Sequence, residues 1–103
     1  MITEEQIQEI VNKIVNGYNP KKIILFGSYA TGNPGDDSDI DLLIIKDSNL
    51  SGIEQSRIVR KLFNKNYYPI DIIVKTSDEF DKYKDIIGTV IYSAHKYGKV
   101  IYG

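Results

Sequence analysis

The chain contains no cysteine. Disulfides, thiolate metal sites and cysteine nucleophiles are excluded, and the composition suits a reducing cytoplasm, which is the expected location. No apolar run approaches the roughly 18 residues of a membrane-spanning helix, so no membrane association is expected. The opening MITEEQIQEI carries acidic residues where a secretory leader carries basic ones, so no targeting segment is read there. Lys and Arg number 13 against 14 Asp and Glu, a net charge of −1. Proteins that grip nucleic acid through its phosphates carry a basic excess, so direct nucleic-acid binding is not expected. Gly-Lys-Ser/Thr is absent, which removes the P-loop as a phosphate site. There is no internal repeat, low-complexity tract or linker.

What is present is globular. The chain has 103 residues, of which 42% are hydrophobic and 26% charged. One domain spanning residues 1–103 is expected, long enough to bury a core without staples. Thr3 followed by Gln6 reads as a capping box, and Ile7, Ile10, Val11 and Ile14 recur at helical spacing. A helix from Glu4 to Asn16 is predicted, stopping before Gly17. Lys21 to Phe26 is a strand apolar on both faces and so central in its sheet. Gly27 to Ser38 is loop by composition, with room for a helical turn over Gly27 to Ala30. Asp39 to Ile45 is a second strand with Asp39, Asp41 and Leu43 on one face. Further helices are read over Glu54–Asn64 (Ile58 and Leu62 inward), Asp78–Ile87 (capped by Ser77) and Thr89–Tyr97. Further strands are read over Ile70–Lys75 and Lys99–Tyr102. The fold class is α/β (α+β): a small mixed sheet flanked by helices.

The chemistry concentrates in FGSYATGNPGDDSDIDLLII, residues 26–45. Aspartate within an apolar strand is costly unless its charge is matched. There are three: Asp39 and Asp41 on the second strand, and Asp71 among Ile70, Ile72, Ile73 and Val74 on the third. If those strands pair side by side, three carboxylates converge with no basic residue nearby in sequence. Like charges that close call for a cation. Mg²⁺ takes one or two carboxylates plus substrate phosphates, so a Mg²⁺ or Mn²⁺ site completed by a nucleotide is the economical reading. Gly27 lets backbone approach a ligand, and the Ser28 hydroxyl with successive N–H groups suits phosphate oxygens. Asp71 is the candidate to bind the catalytic metal or accept the proton of an attacking hydroxyl. A calcium loop beginning at Asp37 fails, because its sixth and twelfth positions are Leu42 and Ser48. Asp36 and Asp37 are read as exposed loop charges, and His95 as an exposed or packing side chain. The eight tyrosines are read mainly as packing residues, with a partner-facing surface as the alternative.

Gly27-Ser28, then Ser38-Asp39-Ile40-Asp41-Leu42, then Asp71 in Ile-Asp-Ile-Ile-Val, resembles the nucleotidyltransferase superfamily that includes DNA polymerase β. The short chain is similar to its minimal nucleotidyltransferase (MNT) branch, the MntA-type antitoxins. The resemblance implies that Gly27 and Ser28 bind nucleotide phosphates, that Asp39 and Asp41 hold metal, and that Asp71 is the third carboxylate. It also implies ATP as substrate and a HEPN-domain ribonuclease toxin as partner, silenced by AMP transfer to a toxin tyrosine. Many members read Gly-Ser-x-Ala-Arg-Gly, whereas Thr31 stands here in place of that arginine. Lys46, Lys75 or a partner residue are candidates to supply the cation. Two other functions compete. One is a nucleotide-binding module that neutralises a partner by contact alone. The other is a small-molecule nucleotidyltransferase, for which the chain lacks room for an acceptor-binding domain.

Overall fold

The computed structural model describes residues 2–35, 38–63 and 69–103. The first helix, α1 (Glu4–Tyr18), opens with the expected capping box between Thr3 and Gln6. It buries Ile10, Val11, Ile14 and Tyr18. It runs two residues past the predicted end, because Asn19 rather than Gly17 supplies the left-handed cap, at φ 55°. Gly17 serves a different purpose. A Cβ there would stand 2.7 Å from Leu62 Cδ2, so glycine lets the helix pack closely on the segment after α3 (Gly52–Arg60).

The remaining elements are β1 (Lys22–Phe26), a single helical turn α2 (Ser28–Thr31), β2 (Ile40–Ile45), β3 (Ile70–Lys75), α4 (Ser77–Tyr83), α5 (Val90–Tyr97) and β4 (Lys99–Tyr102). The sheet order is β3-β2-β1-β4. β2 and β4 both run antiparallel to β1, and β3 runs parallel to β2, so the sheet is mixed and β1 is interior as expected.

Helices cover both faces. Ile23 and Leu25 of β1, Ile40, Leu42 and Ile44 of β2, and Ile72 and Val74 of β3 pack with α1 and α3. The alternate residues Ile24, Leu43 and Ile45 pack with Ile91 and Ala94 of α5, joined by Phe26, Ile73, Phe80 and Tyr83. The period of two along each strand assigns every side chain to one of these two cores.

Several boundaries differ from the sequence reading, each for a local reason. α3 starts at Gly52, because Ser51 and Glu54 form a second capping box. It turns Val59 and Gln55 inward and leaves Ile58 39% exposed, while Leu62, past its end, packs on the core as expected. The predicted end of that helix at Asn64 lies outside the described residues. α4 is capped by Thr76 rather than Ser77, again with a Glu three residues on, and it ends at Tyr83 rather than Ile87. Ser77 instead bonds Asp47, its N–H at 2.8 Å and its hydroxyl at 3.0 Å.

Leu42 has no exposed surface and sits at the middle of the central strand pair. Leu42→Ala is expected to cost about 2–5 kcal/mol, read as a lower urea midpoint with unchanged slope.

Candidate active site

Both halves of the site are set by β2. In the antiparallel register Asp41 stands opposite Phe26, the last residue of β1, and in the parallel register opposite Asp71. Register partners point to the same face, so Asp41 and Asp71 are neighbours across strands about 4.8 Å apart. Asp39 lies just before the strand instead of opening it. The register brings Asp41 and Asp71 together, with Asp39 two residues before Asp41, but the burial expected of them is not found. Asp39 is exposed, the Asp71 side chain is 64% exposed, and only Asp41 is half-buried. Asp71 belongs to an apolar strand but sits at its open end, beyond the reach of either core. Water matches its charge there, so it is not the buried like charge that the sequence suggested.

Asp41 is the most enclosed of the three. Its carboxyl is pushed above its usual value, first by burial and then by the negative charges of Asp71 and Asp39. Gly27 makes room for it. That residue holds φ at 73°, and a Cβ on it would collide with Asp41 Oδ2. The glycine and the second carboxylate are thus one device: the backbone turn leaves the space that the carboxylate occupies. Ser28 then begins α2, whose Ala30 and Thr31 N–H groups donate to the Gly27 carbonyl at 3.1 and 3.2 Å. The Ser28 hydroxyl has no hydrogen-bond partner among the described residues. Thr31 Oγ1 donates back into its own turn, 3.3 Å from the Ser28 carbonyl and 3.4 Å from that of Gly27.

The cation beside the carboxylates is one that sequence spacing did not indicate. Arg60, in the last turn of α3, lies 3.8 Å from Asp71 Oδ1 and donates to the Ile70 carbonyl at 3.2 Å. A clue existed in the topology. A helix joining two parallel strands returns to the end where the second strand starts, so its last turn lies near Asp71. The two lysines named from the sequence sit at the other end of the sheet. Lys46 donates to the Tyr18 and Asn19 carbonyls at 2.9 and 3.1 Å, capping α1. Lys75, opposite Ile45, pairs with Glu79 at 4.0 Å.

Asp36 and Asp37 lie outside the described residues. Among the described residues no three His, Cys, Asp or Glu side chains are grouped tightly enough to hold a metal ion unaided. The donor set still suits a hard divalent cation. It is all oxygen, it is short of positive charge at Asp41, and it leaves ligand positions for phosphates and water.

Comparison with known proteins places the chain in a family. Residues 4–97 match the family model described as a nucleotidyltransferase domain. The chain belongs to the nucleotidyltransferase family. It is 39% identical over 84 residues to a Methanocaldococcus jannaschii protein named "Putative protein adenylyltransferase MJ0604", covering 80% of this chain and 82% of that one. A second protein of that organism, "Putative protein adenylyltransferase MJ1379", is 35% identical over 83 residues, covering 75% and 83%. The crystal structure of "a putative nucleotidyltransferase from Sulfolobus solfataricus" superposes with a TM-score of 0.64. It covers 93% of this chain and 76% of its own at 21% identity, which speaks for the fold. Among the described residues no helix is long and apolar enough to cross a membrane.

Two outcomes follow for the site. Gly27→Ala should lose stability through its left-handed backbone and its collision with Asp41. The loss should be smaller in an Asp41→Ala background, measured as a double-mutant cycle in urea. The second concerns pH. The folded chain holds the Asp41 proton to higher pH than the unfolded chain does, from a usual value of 3.8. Stability linked to this group is therefore greatest below that value and falls as pH rises through the folded one. Asp41→Asn cannot ionise, so it should raise the urea midpoint at pH 7 in metal-free buffer. The gain should fade on acidification to pH 3.8 and below.

Proposed function

We propose that this nucleotidyltransferase moves AMP from ATP to a hydroxyl of a partner protein, with Mg²⁺ as the ion. The acceptor is a tyrosine, and the partner is a HEPN-domain toxin that the chain restrains as its antitoxin. The observation that carries the reading is the register of Asp41 with Asp71 beside the Gly27-Ser28 turn. It sets two carboxylates next to the backbone turn that would hold the phosphates. Both curated relatives carry names that say protein adenylyltransferase, which supports a protein acceptor.

In this mechanism Gly27 and Ser28 bind the triphosphate. Asp39 and Asp41 would hold Mg²⁺, which supplies charge neutralisation at the phosphates and a more acidic acceptor hydroxyl. Asp71, exposed at the sheet end, receives the hydroxyl proton. The hydroxyl oxygen forms a bond to the α-phosphorus, the bond from that phosphorus to the bridging oxygen breaks, and pyrophosphate leaves. Arg60 stands beside the Asp71 carboxylate, 3.8 Å away.

A second reading rests on that same ion pair. Asp71 already has a cation beside it, which suits a nucleotide-binding module that neutralises its partner by contact.

The test is transfer of label from α-labelled ATP with Mg²⁺ to the product of the neighbouring gene. Label should appear on that protein and fall by about 100-fold or more in Asp41→Asn. Asp71→Asn should keep nucleotide affinity better than it keeps transfer. A stable, unlabelled complex would favour the contact reading, and a wild-type rate in Asp41→Asn would overturn the site.

A further inference from the structure

A cavity of about 450 Å³ lies between β1 and the two helices α4 and α5. It is at the other end of β1 from the carboxylates. Lys22, on its rim, stands opposite Ile45, whereas Phe26 stands opposite Asp41. That is about 13 Å along the strand at about 3.3 Å per residue. Ile24 and Leu43, both buried, fill the space between.

The floor is apolar, with Ile24, Ile45 and the half-buried Phe80. The rim is cationic, with Lys21, Lys22 and Lys84 against one lining carboxylate, Asp81. Lys84 reaches Asp81 at 3.8 Å, and Lys21 reaches Asp47 at 3.7 Å and donates to Ser77 at 3.0 Å. Both ion pairs have exposed members and contribute little stability, so an incoming anion can displace the carboxylate from the lysine. Lys22 has no carboxylate partner among the described residues, and its ammonium lies 5.8 Å from the centre of the Phe80 ring. Lys22 thus brings a positive charge with no carboxylate partner among the described residues to an aromatic floor, far from the acidic site. Nothing in nucleotidyl transfer at Asp41 uses it.

We propose that this cavity is a second ligand site, for a small organic phosphate. Three lysines line one space, which suits a group with several charged oxygens. The floor takes the apolar or ring portion, with Phe80 as the contact surface. The volume lies in the range of small-molecule sites.

The chain has a single histidine, His95, which lines this cavity and meets Phe80 edge-on with ring centres 5.4 Å apart. Its ring-proton resonance is therefore a one-signal reporter. The experiment titrates the full chain with AMP in metal-free buffer at fixed ionic strength and follows that resonance. A saturable shift is expected, with inorganic phosphate binding at least about tenfold more weakly because it lacks a body for the floor. Lys84→Glu and Lys22→Gln should each weaken AMP about tenfold, and Asp41→Asn should leave it unchanged. Two lysine variants are used so that a folding defect in one does not decide the matter. The proposal is overturned if the resonance does not move or if inorganic phosphate matches AMP. It is also overturned if folded Lys84→Glu and Lys22→Gln bind as the wild type does, or if Asp41→Asn abolishes the shift.

Discussion

The register of β2 is the constraint on which the rest depends. This strand pairs antiparallel with β1 and parallel with β3, and both pairings fix Asp41 at once. A slip of one residue would turn Ile40, Leu42 and Ile44 away from the α1 and α3 core and send the carboxylate into it. Five of the six residues of β2 are buried, so hydrophobic burial resists that slip along its whole length. The polar chemistry is held in place by the apolar residues that follow it in the same strand.

The sheet is electrically polarised along β1. Its carboxylate end gathers Asp39, Asp41 and Asp71 with Arg60. Its other end gathers Lys21, Lys22, Lys46, Lys75 and Lys84, of which Lys21, Lys75 and Lys84 pair with Asp47, Glu79 and Asp81. The apolar layer of Ile24 and Leu43 separates the two. A nearly balanced total charge therefore hides an uneven distribution, with Lys22 and Lys46, which have no carboxylate partner among the described residues, at the end away from the carboxylates. The composition excludes a broad basic surface but says nothing about such a division.

Much of the fold was legible because its signals are local. The Thr3-x-x-Gln6 box, the spacing of Ile10, Val11 and Ile14, and the apolar strands were read at nearly their observed bounds. The pairing of β2 with β3 was anticipated as a condition, and its parallel register brings Asp41 and Asp71 together. Ser51-x-x-Glu54 is an equally local signal, and it starts α3 at Gly52 with Ile58 exposed. What could not be read from spacing is what comes from distant packing. The exposure of Asp71, the approach of Arg60 and the use of Lys46 as a cap on α1 depend on which end of the sheet each segment reaches. The role of Gly27 was read as access for a ligand. The structure adds that its missing side chain is the space for Asp41.

The pairing of β1 with β4 bears on how this chain reaches its native state. β1 meets β2 within a short stretch of sequence, but its other edge waits for Lys99 and Val100, which meet Leu25 and Ile24. Until that segment docks, β1 presents an open row of N–H and C=O groups with apolar side chains on both sides, the kind of edge that templates aggregation. Closing so distant a contact is entropically slow. Loss of β4 would therefore harm solubility during refolding before it harmed the carboxylates, which lie on the other side of β1.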